Sequence, residues 1–392
     1  MLNPSTLPNF QRAIADAGVD GWLLYDFRNC NPIAQSVAGV SGHITRRFLV
    51  YIPREGQPTA ITHAIEQTIW NGWPNEFGKV VYASWRVLEE QIRALVRGKK
   101  IAMEYSPGDA VPVVDRIPAG VLDMVRAAGA DVVSSGNLVT TFYAIWTPDG
   151  LASHRRAAEH VGRIAREAMQ VAGERVRAGQ GITEYELQLW ISDAFTRAGL
   201  TFDHAPNVSL GANAANPHYQ PSAASSKALT TGNTLLIDLW ATEPGGIYAD
   251  QTYMGALGAP SDRAIDIWRA VRDARDAAIV MAKELATSHA QARGAVIDDA
   301  ARNVIVSRGY GEYFFHRTGH SIDARDLHGS GPNLDNLETR EERLLLPGVG
   351  FSIEPGVYIA GEIGVRSEVN AYYGDGELII TPTEYQTDLF LL

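Results

Sequence analysis

The run Thr234-Leu235-Leu236-Ile237-Asp238-Leu239-Trp240 is followed by Glu243-Pro244-Gly245-Gly246 and then by Ile247-Tyr248-Ala249-Asp250-Gln251-Thr252-Tyr253. Two apolar stretches around a loop of turn formers read as a β-hairpin. Residues facing each other across a hairpin are equidistant from its centre, so Asp238 and Asp250, which straddle Pro244, should face each other within a residue of register. A second stretch repeats the device: Gly350-Phe351-Ser352-Ile353-Glu354-Pro355, a turn around Ala360–Gly364, then Val365-Arg366-Ser367-Glu368-Val369. Glu354 and Glu368 straddle Gly361. Each hairpin therefore brings two carboxylates together.

Like charges facing one another on paired strands are destabilising, and burying them uncompensated raises their pKa values and costs several kcal/mol or more. Isolated acids are usually solvated on outer faces, but Asp238 and Glu354 interrupt strongly apolar strands. A cationic partner is expected. Two divalent ions shared by four carboxylates and a histidine would remove the repulsion. The histidine comes from His316-Arg317-Thr318-Gly319-His320. Its spacing of four fits one helical face, yet the zincin pattern needs Glu where Arg317 stands and Gly319 disfavours a helix, so a strand or loop should present His320 with His316 nearby. An oxygen-rich set with one imidazole favours Mn²⁺, with Co²⁺ or Zn²⁺ as alternatives.

Outward from the hairpins, the chain repeats its plan. A long helix (Ser153–Ala178) leads to a second that opens on the capping box Thr183-Glu184-Tyr185-Glu186 and stops at Gly199, and a strand-rich region with His218 follows. Ser261 then caps another long helix, a shorter one runs from about Val296 to Gly309, and a second strand-rich region holds His328. Gly199 and Gly309, like His218 and His328, are 110 positions apart, which implies a pseudo-two-fold domain whose sheets meet at a shared site. Residues 1–150 alternate helix-like (Pro8–Gly18, Arg86–Val96) and strand-like (Gly21–Tyr25, Phe48–Ile52) stretches, an α/β pattern. Trp146-Thr147-Pro148-Asp149-Gly150 is rich in turn formers and reads as the linker, giving domains of 1–150 and 151–392. His43 and His63 stand alone there and read as ordinary surface or hydrogen-bonded histidines.

Composition narrows the function. The 392 residues carry 34 Lys/Arg against 45 Asp/Glu, a formal charge of −11, with the acidic excess in the C-terminal part. A phosphate-binding protein normally shows a basic face, so nucleic acid is not expected as a partner. No apolar run is long enough for a membrane span and no secretory leader is visible, which predicts a soluble, cytoplasmic protein. Cys30, the single cysteine, excludes an internal disulfide and a cysteine-based zinc cluster. No GxSxG elbow or P-loop is present.

The two acids of the first hairpin, the HxxxH segment with Gly before its second His, Ile353-Glu354-Pro355-Gly356-Val357-Tyr358 and Arg366-Ser367-Glu368 resemble the pita-bread metallopeptidases (family M24). These include methionine aminopeptidase, aminopeptidase P and Xaa-Pro dipeptidase. The resemblance covers residues 151–392, and residues 1–150 resemble the creatinase-type N-terminal domain, which favours the proline-peptidase branch. It implies an α+β fold: a C-terminal pita-bread domain with a pseudo-two-fold repeat, preceded by a smaller α/β creatinase-type domain. By position, Asp238, Asp250 and Glu368 would hold one metal, and Asp250, His320, Glu354 and Glu368 the other. His218 matches the substrate-side catalytic histidine, while His316, His328, Tyr358 and Arg366 match supporting or substrate-binding positions. Three details depart from the family. The acids are 12 apart where 11 is usual, His328 follows His320 by eight where seven is usual, and His328-Gly329-Ser330-Gly331 lacks the customary Glu.

The chemistry expected is hydrolysis by a dinuclear metallopeptidase, with water activated between two ions and one ion polarising the scissile carbonyl. Glu354 is expected to transfer protons, and His218 and His328 to stabilise the oxyanion. The segments around His218 and His328 look most like bacterial dipeptidases, so the expected substrate is a small peptide, an Xaa-Pro dipeptide. The alternative is an aminopeptidase P acting on longer Xaa-Pro peptides. Such a dipeptidase needs a donor for the free C-terminal carboxylate, for which Arg366 is the candidate and Tyr385 the second. A homodimer is implied by the resemblance. Creatinase-like hydrolases that have lost the metal set, and non-catalytic pita-bread binding modules, are the rival readings, and the complete ligand set disfavours both.

Overall fold

The computed structural model describes residues 1–392, which divide into two compact units, Met1–Tyr143 and Ala144–Leu392. In the first, the chain runs α1 (Leu7–Asp16), β1 (Gly21–Asp26), α2 (Pro32–Ala38), β2 (Phe48–Pro53), β3 (Thr59–His63), β4 (Gly78–Tyr82), α3 (Trp85–Val96), β5 (Lys100–Met103), α4 (Ala119–Ala127), β6 (Asp131–Ser134) and the short α5 (Gly136–Val139). Its six strands form one mixed sheet in the order β4-β3-β2-β1-β5-β6. Strands β1 and β2 are buried along their whole length, which is why they read as continuous apolar runs. None of the expected site residues lies in this unit.

The second unit opens with α6 (Pro148–Arg177), capped by the Thr147 hydroxyl, which accepts from the Gly150 N–H. The turn formers read as a linker are thus the first turn of this helix, because proline at the first helical position costs nothing where the N–H has no partner to lose. Helix α7 (Glu184–Arg197) carries the expected capping box on Thr183 and Glu186. Strands β7 (Asn207–Leu210), β8 (Thr234–Ala241) and β9 (Ala249–Ala256) follow. Then come α8 (Asp262–Ser288), capped by Ser261, and α9 (Gly294–Ser307). Helices α7 and α9 are both 14 residues long and begin and end 110 residues apart, so the repeat inferred from isolated markers is present in the elements themselves.

The remaining strands are β10 (Ser321–Ile322), β11 (Val349–Ile353), β12 (Gly356–Ile359), β13 (Ile363–Arg366), β14 (Val369–Tyr373), β15 (Leu378–Thr381) and β16 (Phe390–Leu391). They complete two four-stranded sheets, β16-β9-β8-β7 and β10-β11-β14-β15, and the β12-β13 ribbon. One core packs β8 and β9 against α6 and α7 through Ile237, Leu239, Tyr253, Val161, Met169 and Ile191. The other packs the second sheet against α8 and α9 through Phe351, Ile353, Val369, Ile267, Val271 and Ile297. The sheets are joined where Asn370 of β14 accepts from the Asp250 N–H and donates to the Asp250 carbonyl.

His154 of α6 is a buried structural histidine. Its Nδ1 lies 2.7 Å from the Tyr248 carbonyl, so it carries the proton there, and its Nε2 lies 2.7 Å from Thr381 Oγ1. Burial lowers its pKa from 6.5 to about 4. The unfolded chain then binds more protons between those values, so stability present above pH 6.5 is lost as pH falls toward 4, by on the order of 3 kcal/mol. His154→Gln cannot acquire the charge and should flatten the melting temperature between pH 6.5 and 4. Parallel profiles for the two proteins would remove His154 as the source.

Candidate metal centre

The first hairpin is centred one residue later than the sequence suggests: Asp238 pairs with Thr252, and Trp240 with Asp250. The loop turns through Glu243–Gly246, where the Gly246 N–H donates to the Glu243 carbonyl. Asp238 and Asp250 are therefore diagonal neighbours on one face, with Thr252 between them, and the closest like-charge geometry is avoided. The second hairpin has the expected register. The ladder runs from Gly356↔Arg366 to Ile359↔Ile363 on one side and resumes at Ile353↔Val369 on the other, so Glu354 and Glu368 face each other at the break between the two ladders.

His320 arrives on extended chain. Its N–H donates to Ser352 Oγ, its carbonyl accepts from the Ser352 N–H, and the Thr318 carbonyl accepts from the Glu354 N–H. Gly319 permits this approach: a Cβ there would lie 1.9 Å from the Ser352 carbonyl oxygen. His320 Nε2 ends 3.3 Å from Asp250 Oδ2 and 3.5 Å from Glu354 Oε1. The ligand atoms of Asp250, His320 and Glu368 lie within 4.8 Å of one another. Asp238 joins through Thr252, whose hydroxyl lies 3.3 Å from Asp238 Oδ1 and donates to Glu368 Oε2 at 2.7 Å. The five residues expected to ligate metal are brought together.

Their electrostatics is that of a crowded anionic pocket. Burial, followed for Glu368 by the charges of Asp250, Glu354 and Asp238, raises its carboxyl well above the ordinary value. Burial also lifts Asp238, against the Arg366 charge, and raises Asp250 to about 6 against the hydrogen bond from His320. Glu354 goes the other way: burial opposes ionisation, but His320, Arg366 and His316 hold its pKa below normal. His320, despite burial, is raised to about 8 by Asp250 and Glu354. Two buried oxygens, Asp250 Oδ1 and Glu368 Oε1, have no hydrogen-bond partner. Orphaned acceptors in such a ring are what a cation would satisfy, and one imidazole among four carboxylates suits a divalent ion with nitrogen and oxygen ligands.

Arg366 differs from its expected role. Its Nη2 is ion-paired with Asp238 Oδ2, its Nε donates to Thr252 Oγ1 at 2.8 Å, and its Nη1 lies 3.4 Å from the Tyr358 hydroxyl. The buried guanidinium thus neutralises the cluster from within and is not presented to an incoming carboxylate. Tyr385 stacks over the Arg275 guanidinium at 4.9 Å, and Arg275 in turn donates to Ser367 Oγ, so Tyr385 packs behind the Arg366–Glu368 strand. His316 Nε2 lies 2.9 Å from the Tyr358 hydroxyl and its Nδ1 2.7 Å from the Arg317 carbonyl, which makes Nδ1 the protonated nitrogen and Nε2 the acceptor. The His328 ring lies 4.2 Å from that of His320, and the His320 charge, then burial, lowers its pKa. His218 is exposed, its backbone N–H donating to Asn216 Oδ1, and no hydrogen bond or ion pair of the cluster reaches it.

Thr252, Ser352 and Asn370 were not picked out from the sequence, and for Ser352 and Asn370 a polar residue on a buried strand carries no signal. Thr252 alone had one, standing two residues after Asp250 on the same strand face. It relays Arg366 to Glu368, and outer hydrogen bonds of this kind tune metal affinity by about 10–100-fold. Thr252→Val should weaken Mn²⁺ binding by about that factor in a calorimetric titration. Unchanged affinity would make the relay incidental.

The family model described as metallopeptidase family M24 matches residues 153–372. An Xaa-Pro dipeptidase of Lactobacillus helveticus is 37% identical over 161 residues, 41% of this chain and 40% of that protein. The chain spans under two thirds of the length of the curated relatives first matched, between 40% and 52% for three of them. Among solved structures, a prolidase from Thermococcus sibiricus covers 100% of both chains at 24% identity and a TM-score of 0.65. The dipeptidase PepE from Mycobacterium ulcerans covers 99% of this chain and 97% of its own at 21% identity and a TM-score of 0.70. At these identities the likeness is one of fold: a pita-bread domain preceded by a smaller α/β domain.

Proposed function

The chain belongs to metallopeptidase family M24, and from that premise we propose that it hydrolyses the Xaa-Pro bond of dipeptides with two divalent cations, Mn²⁺ foremost. The observation that carries this reading is the pair of partnerless oxygens, Asp250 Oδ1 and Glu368 Oε1, inside a buried ring of four carboxylates and one imidazole. The relative named Xaa-Pro dipeptidase supports the substrate.

Asp238, Asp250 and Glu368 would hold one ion, and Asp250, His320, Glu354 and Glu368 the other. When bound, such cations supply Lewis acidity, lowering the pKa of a water and polarising a carbonyl. Glu354, held ionised by neighbouring cations and oriented by the Ser352 hydroxyl on Oε1, takes a proton and passes it to the leaving amine. His328, whose ring lies 4.2 Å from that of His320, donates an N–H to the oxygen on which charge develops, and His218 serves the substrate side of the same step. His316 and Tyr358 form a hydrogen-bonded wall that orients the peptide, and Arg366 balances the charge of the acids whichever ion is absent. Residues 1–150 act as the creatinase-type domain, and the working form is a cytoplasmic homodimer. No helix is long and apolar enough to cross a membrane.

The test is a mass-resolved assay of the Mn²⁺-loaded chain on Xaa-Pro dipeptides and Xaa-Pro-Yaa tripeptides. Faster release of proline from the dipeptides is expected. Equal rates on longer peptides would establish aminopeptidase P activity instead, and no release from any peptide would overturn the reading.

A further inference from the structure

Trp240 is a large aromatic side chain on the cluster's own strand face with no part in the hydrolytic steps above. On β8, Leu235, Ile237, Leu239 and Ala241 are buried in the core beneath α6 and α7, while Asp238 and Trp240 are the two partly exposed positions. Trp240 pairs directly with Asp250 across the ladder. Strand alternation therefore sets its side chain on the same sheet face as Asp238 and Asp250, beside the carboxylate ring.

The indole is held in place. Its Nε1–H donates to Asp203 Oδ1 at 2.9 Å, and His204 Nδ1 lies 3.0 Å from the other oxygen of Asp203. Burial works against ionisation of Asp203, but these two hydrogen bonds hold its pKa below the usual carboxylate value, leaving a negative charge at the edge of the indole. A second acid, Asp326, accepts from the His328 N–H on the neighbouring loop. Next to the anionic centre, β8 thus offers an indole face with a carboxylate held at its edge. His204 and Arg325 are the basic groups adjoining the two acids in sequence.

Resting on the dipeptidase reading, we propose that Trp240 is a specificity-determining residue. Its indole face and Asp203 receive a cationic side chain at the residue before proline, so that Lys-Pro and Arg-Pro are preferred substrates. An aromatic face and a carboxylate attract a cation in the same direction and gain nothing from an uncharged chain of equal length. The proline ring is uncharged, which leaves the Xaa residue as the source of the cation. Its α-ammonium is common to every dipeptide, so only the side chain can produce a preference.

The experiment compares Lys-Pro with norleucyl-Pro, which has a similar length without the side-chain ammonium, in the wild type, Trp240→Ala, Trp240→Phe and Asp203→Asn. The wild type should favour Lys-Pro by about tenfold in kcat/KM, expressed in KM. The ratio should fall toward one in Trp240→Ala and in Asp203→Asn, and Trp240→Phe should retain part of it. Asp203 is close to half exposed, so Asp203→Asn carries the test if Trp240→Ala fails to fold. A wild-type ratio near one, or a ratio unchanged in both Trp240→Ala and Asp203→Asn, would overturn the inference. A parallel loss on both substrates would do so too, since it would assign the indole to the α-ammonium alone. Absence of hydrolysis of every dipeptide by the wild type is the separate result that would sink the dipeptidase reading itself.

Discussion

Glu354→Gln should lose about 10²- to 10⁴-fold in kcat on an Xaa-Pro dipeptide, with the larger figure expected because in the proposed mechanism one residue would both transfer the proton and ligate an ion. The substitution is nearly isosteric and keeps an oxygen able to accept from Ser352 Oγ and the backbone N–H that donates to the Thr318 carbonyl, so the hairpin should fold. What it removes is a charge. In the chain as it stands, His320, Arg366 and His316 lower the Glu354 pKa, and the residue is the member of the ring that stays ionised most readily. A neutral amide there can neither take a proton nor balance His320. Steady-state kinetics at saturating Mn²⁺ reads the effect directly. Activity within tenfold of the wild type would remove Glu354 from proton transfer.

The second large effect concerns stability and metal together. Asp250 and Glu368 each carry a buried oxygen without a partner, and burial raises the pKa of both. The metal-free fold therefore carries an internal penalty that divalent cations relieve by binding the native state. At a hundredfold excess over the dissociation constant each site adds about 2.7 kcal/mol. Asp250→Asn would remove the proposed shared ligand and part of the repulsion in one step. It should abolish activity and erase the Mn²⁺-induced rise in melting temperature, while its metal-free melting temperature should equal or exceed that of the metal-free wild type, a trade of function against stability. Scanning calorimetry with and without Mn²⁺ measures the two thermal effects, an Xaa-Pro assay the activity, and elemental analysis the bound metal of the purified variant. Retention of two ions per chain by Asp250→Asn would show that the residue does not bridge.

These effects rest on features that the sequence discloses to different degrees. The helix ends were legible because caps are local chemistry: Thr183 with Glu186, and Ser261, act through the residues beside them. The register of the second hairpin was legible because its tight turn at Gly361, with a φ of +75°, fixes the centre. The first hairpin has a longer loop, and loop conformation moved its centre by one residue, converting an expected face-to-face pair of acids into a diagonal one. Pro148 and Gly150 misled as a linker, since the same residues that favour turns also tolerate the first turn of a helix. Arg366 could be matched by motif, but its direction could not. Whether a guanidinium points to substrate or to Asp238 depends on side-chain packing that strand spacing does not encode. His218 lies in the segment after β7, and no hairpin or cap there fixes it against the cluster. Trp240 was invisible for the opposite reason, being one aromatic residue in an apolar strand.

The central claim is that the carboxylate ring is a divalent-cation centre for Xaa-Pro hydrolysis. The most direct measurement is proline release by exhaustively chelated protein to which Mn²⁺ is returned in stoichiometric steps. No turnover before addition, and a rise that saturates at two equivalents per chain, is the predicted result. Undiminished turnover by protein shown to be free of metal would contradict it.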